Sequence, residues 1–75
     1  MRIIQPETLK QIRDTYTPGT RVVLIQMDDP YTKLMAGDRG TVTSVDDIGT
    51  IHVKWDRGCS LGVVFGEDLC RKIEE

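Results

Sequence analysis

The sequence predicts one mostly β domain with a short helix near its N-terminus. Three observations carry this. Residues 50–55 alternate cleanly, with Ile51, Val53 and Trp55 on one side and His52 and Lys54 on the other, as in a half-buried antiparallel strand. Turn chemistry recurs at short intervals, at Pro18-Gly19, Asp47-Ile48-Gly49, Asp56-Arg57-Gly58 and Gly66-Glu67-Asp68, with β-branched runs between. A helical period occurs once, in Leu9, Ile12 and Tyr16.

The elements follow in order. Residues 6–15 read as a helix. Pro6 suits its first turn, where a missing N–H costs nothing. Glu7 favours the positive end of the helix dipole. Ten residues make a marginal helix alone, so it must dock on the body or fray. Residues 20–27 form the first strand. Residues 28–38 form a long loop that carries Tyr31, Leu34 and Met35. Residues 40–46, 50–55, 59–65 and 69–73 supply four more strands, with Gly58 providing a positive φ at one tight turn. Five short strands with a long first loop and tight later turns predict a five-stranded SH3-like barrel, whose closure would remove most exposed edge. The organisation is an N-terminal helical segment over residues 1–17 and a barrel domain over residues 18–75.

Seventy-five residues make one domain. Its core is thin, supplying only about 3–5 kcal/mol. A partner or homo-oligomerisation would therefore help it. Lys and Arg number 10 against 12 Asp and Glu, a net charge of −2, and the pI is about 5.3. That balance weighs against general nucleic-acid binding, which goes with a basic face. No apolar run is long enough for a membrane span, and Met1 to Pro6 shows no apolar signal-peptide core. The expected location is the cytoplasm. Cys59 and Cys70 are too few for a disulfide framework and read as buried free thiols.

The chemistry-bearing residues point to binding rather than catalysis. His52 is the only histidine, no metal-ligand spacing exists, and His52 reads as an outward-facing strand residue. No metal or cofactor is expected. Asp28-Asp29, Asp38, Asp46-Asp47 and Asp56 all fall at turns, where aspartate bonds nearby backbone N–H groups. Asp29 is the one to watch, because a long loop is more often functional than a tight turn. Cys59 and His52 lie on neighbouring strands with a turn between them, and the spacing does not fix their facing, so it does not make a nucleophile with a positioned base. Trp55 reads as core, with one wall of a groove as the alternative. Tyr31, Leu34, Met35 and Phe65 are harder to bury together, and they mark either a binding patch or loop packing. Arg39, Lys54 and Arg57 come from adjoining turns and strands and could converge on phosphates.

Several runs occur in order with matching spacing: Pro18-Gly19-Thr20-Arg21-Val22, Met27-Asp28-Asp29-Pro30-Tyr31-Thr32, Gly40-Thr41-Val42, Val45-Asp46-Asp47-Ile48-Gly49, and Ile51-His52-Val53-Lys54-Trp55-Asp56 with Gly58. Over roughly Tyr16 to Ile73 the chain resembles the family catalogued as domain of unknown function 4314. The resemblance implies a build similar to SH3-like and KOW-like barrels, and an origin in phages, plasmids and conjugative elements of Gram-positive bacteria. It implies no particular activity. Cys59, Gly62 and Phe65 depart from the family pattern, where a polar residue, Ala and Pro are expected, so the fourth strand and its rim are adapted in this chain.

Three functions are consistent with this reading. The first and favoured is a protein-binding module of a phage or mobile element, engaging a host protein through the long loop and barrel groove. The second is sequestration of a nucleotide-type defence signal at an intersubunit site. Arg39, Lys54 and Arg57 would then hold phosphates, with Tyr31 or Phe65 stacked on a base. The third is a nucleic-acid or ribosome-associated KOW-like module, which the acidic net charge disfavours. The expected ligand-binding residues are Asp29, Tyr31, Met35, Arg39, Lys54, Trp55, Arg57 and Phe65.

Overall fold

In the computed structural model, residues 4–29 and 31–74 are described. Met1, Arg2 and Ile3, which enter the signal-peptide reading, and Pro30 of the long loop lie outside them, as does Glu75. Helix α1 spans Pro6–Thr15, with Pro6 in its first turn, Glu7 near its start and Arg13 in its last turn. No helix residue is fully buried. Ile12 and the following Tyr16 pack half-buried against the core, and Leu9 is half-buried. Two polar contacts add to this. The Tyr16 hydroxyl donates to the Cys70 carbonyl at 3.4 Å, and Arg13 pairs with Asp47 at 2.7 Å. The helix thus docks along one stripe, as its period requires.

Five strands follow: β1 Arg21–Gln26, β2 Arg39–Val45, β3 Ile51–Trp55, β4 Ser60–Val63 and β5 Leu69–Lys72. They form one antiparallel sheet in the order β4-β3-β2-β1-β5. Irregular register between Leu24 and Gln26 in β1, and between Val42 and Ser44 in β2, bends the sheet as bulges do. β4 and β5 remain its two edges, so hydrogen bonding does not close it into a barrel among the described residues. Closure is the part of the expected architecture that the ladder leaves out. The edge strands have only four residues each, and the 64–68 turn leads from one to the other.

One face of the sheet makes the core. Val22, Leu24, Val42, Ile51, Val53, Trp55, Val63 and Cys70 are buried there, joined by Leu34 from the long loop. The alternation of β3 is complete, with its first, third and fifth residues buried. Trp55 lies opposite Gly40 in the register, and its indole N–H donates to the Leu61 carbonyl at 3.1 Å. The buried ring is thereby satisfied as well as packed. A Cβ on Gly40 would stand 2.9 Å from the ring, so glycine is what lets the indole lie against the strand. The turn aspartates behave as their residue type predicts. Asp46 Oδ1 accepts from the amides of Ile48 and Thr50 at 3.1 and 2.9 Å, and Gly49 follows at φ +84°.

Candidate functional site

The segment between β1 and β2, residues 27–38, is long but tied down. Leu34 enters the core at 7% exposure. The Gly37 amide donates to the Leu24 carbonyl at 2.8 Å. The Asp28 amide donates to Asp68 Oδ1 at 2.8 Å. Asp38 receives Arg57 in a two-pronged pair, Nε to Oδ2 and Nη2 to Oδ1, both 3.0 Å. Asp38 Oδ2 also accepts the Met35 amide at 2.9 Å, and Asp29 Oδ1 accepts the Tyr31 amide at 2.9 Å. Held at these points, the loop presents Tyr31 at 93% exposure and Met35 at 65%.

Between the loop and the β3–β4 turn lies a groove of about 440 Å³. Asp29, Tyr31, Thr32 and Lys33 form one wall, and Arg57, Gly58, Cys59, Ser60 and Leu61 the other. Three of the expected residues, Asp29, Tyr31 and Arg57, therefore share one site. Met35 belongs to the same loop but does not line the groove. Trp55 is 1% exposed; it is core and does not line the groove, although its indole bonds to Leu61 and its backbone to Gly58 and Cys59. Phe65 lines a second hollow, between α1 and the β4 and β5 edges.

Of the three basic residues, only Arg57 lines the groove. Arg57 is engaged by Asp38. Lys54 sits on the outer sheet face, in a cross-strand row with Thr41 and Ser60. Arg39 begins β2, opposite Val23 and near Asp56. Asp56 in turn takes a bidentate pair from Arg21 at 2.7 and 2.5 Å. This row arrangement follows from strand register, which residue spacing does not reveal. His52 is exposed on β3, as expected, and Asp46 Oδ2 lies 2.9 Å from its Nε2. Burial works to raise the Asp46 pKa, but the hydrogen bonds from His52 and from the Thr50 and Ile48 amides outweigh it, and the net shift is downward.

The cysteines differ from each other and partly from expectation. Both are free; Cys70 is buried, but Cys59 is exposed. Cys59 directly follows the Gly58 turn, where its carbonyl accepts the Trp55 amide at 2.8 Å, and it lines the groove. Burial pushes the Cys70 thiol up to about 11, so it stays protonated and inert. Sequence reasoning missed Lys33, Cys59 and Leu61 as groove-lining residues. Only their nearness to turns hinted at it.

The Asp38–Arg57 pair makes the loop acid-sensitive. The Arg57 side chain first, then the Met35 amide, hold the Asp38 carboxyl below its ordinary range. A depressed folded pKa means that the contact contributes fully above about pH 4, the unfolded value. It is lost as pH falls through the lower folded value. Acidification is expected to shift the Arg57 Nε–H NMR signal toward that of free arginine, in step with Asp38 protonation. An Nε–H signal indifferent to pH over that range would mean that the pair does not hold the loop in solution.

A bent antiparallel sheet with one docked helix and a loop-bordered groove defines a small β-rich domain. The chain belongs to the family described as Domain of unknown function (DUF4314), whose model matches residues 5–73. No curated protein and no solved structure matches it.

Proposed function

We propose that this chain is a non-enzymatic binding module with an SH3-like build, carried by a phage or other mobile element and engaging a host protein through the long loop. One observation carries the reading: a loop fixed by a core leucine and a two-pronged ion pair turns Tyr31 almost wholly into solvent beside a groove. An aromatic on a tethered backbone loses less entropy on binding than one on a free loop, and tyrosine is enriched among residues that dominate interface energy. Met35 extends the same apolar display. The strand count, the long first loop and the tight later turns support the SH3-like assignment, and the mobile-element setting is carried only by what the sequence resemblance implies.

The nucleotide reading draws less support, since Arg57 is engaged by Asp38 and Lys54 and Arg39 do not line its groove. The nucleic-acid reading rests on analogy with KOW-like barrels alone, and the net charge of −2 lowers it.

The test is capture from host lysate with the wild-type protein and with a Tyr31→Ala/Met35→Ala variant, compared by quantitative mass spectrometry. Both side chains are exposed, so stability is expected to change by no more than about 0.5 kcal/mol. A specific host protein is expected with the wild type, reduced tenfold or more with the variant, corresponding to about 1.4 kcal/mol or more. A partner recovered equally by both proteins would remove the loop from the interface.

A further inference from the structure

The hollow beside Phe65 has a different chemistry from the loop groove and shares no lining residue with it. It measures about 410 Å³. Ile12 of the helix and Tyr16 at its C-terminal cap line it, with Val63, Phe65 and Leu69. Phe65 is 36% and Leu69 54% exposed, so apolar surface that the helix leaves uncovered faces water at a cost of about 25 cal/mol per Å².

Two further features say what would cover it. First, Val63 and Leu69 belong to β4 and β5, the two sheet edges. Edge strands present backbone N–H and C=O groups that an extended segment can pair with. Second, one end of the hollow is acidic. Glu67 and Asp68 line it. Asp68 is fixed by accepting the amides of Asp28 and Val64 at 2.8 and 2.9 Å, which brings Asp28 to the same end. Among the described residues, Asp28 and Glu67 take part in no ion pair. Unneutralised carboxylates beside an apolar floor complement a cation beside an apolar side chain.

We propose that this hollow is a second docking surface, for an extended peptide segment of a partner protein that carries a large apolar residue next to a lysine or arginine. The apolar side chain fills the space between Tyr16, Phe65 and Leu69. The peptide backbone runs along a sheet edge, and its cation meets Glu67 and Asp28. This does not rest on the loop reading, because none of these residues touches the Tyr31 groove.

The experiment displays random dodecapeptides against the full chain. Enriched sequences are then measured by fluorescence anisotropy on wild type, Leu69→Glu, Asp28→Lys/Glu67→Lys and Tyr31→Ala. All four positions are exposed or half-exposed, and circular dichroism confirms that each variant is folded. The expected consensus is an apolar residue adjacent to Lys or Arg. Affinity is expected to fall about tenfold or more in the first two variants, or about 1.4 kcal/mol, and to hold in Tyr31→Ala. Failure to enrich, an acidic consensus, binding indifferent to Leu69→Glu, or binding lost with Tyr31→Ala would each overturn the proposal. So would a concentration-dependent dimer, seen by sedimentation and abolished by Leu69→Glu, which would make a second copy of this chain the occupant.

Discussion

Trp55→Ala is expected to leave the domain largely unfolded. The indole is 1% exposed and is the largest of the fully buried side chains. Truncating a buried tryptophan removes its transfer energy and opens a cavity, costing about 3–5 kcal/mol. A domain of this size has only about that much stability from one core. The loss also removes the indole N–H that the Leu61 carbonyl accepts, at the edge of the loop groove. Far-ultraviolet circular dichroism with urea titration checks this, and a cooperative transition near the wild-type midpoint would show that the ring is not central to the core.

Gly40→Ala is expected to destabilise by about 1–3 kcal/mol through overpacking, and here two effects compete. Away from steric conflict, replacing glycine stabilises by about 0.4–1 kcal/mol, because the unfolded chain loses freedom. At this position the added Cβ would lie 2.5 Å from Val53 Cγ1, 2.9 Å from the Lys54 carbonyl oxygen and 2.9 Å from Trp55 Cε3. None of the three can step aside cheaply: one is backbone, one belongs to a stiff β-branched side chain, and one is the central ring. The clash therefore decides the sign. A lowered urea midpoint with unchanged slope is the expected result, and a raised midpoint would show that the strands separate without cost at this point.

Local pattern made most of the backbone legible. The helix bounds, the five strands to within a residue or two, and the turn roles of the aspartates all follow from periodicity and from what short polar side chains do with nearby amides. Facing was legible wherever alternation was strict, as at Ile51, Val53 and Trp55. Contacts between distant segments were not. Arg57 and Asp38 meet because the β3–β4 turn returns to the end of the long loop, and nothing in either local sequence announces that pairing. Leu34 and Met35 are adjacent and similarly apolar, yet one is buried and the other exposed. Lys54 and Arg39 left the candidate site for the same reason Cys59 entered it. Register and turn geometry decide neighbours, whereas composition and period decide only faces. The hollow beside Phe65 lay beyond sequence reasoning because it is made by five elements that meet only after the sheet bends.

The indole also gives the domain an optical reporter. Trp55 is the only tryptophan, it is sealed in the interior, and it lines neither groove. Its emission therefore registers the folded state, and unfolding moves the band to the red. A purified variant that has lost its partner but keeps the unshifted band has kept its structure.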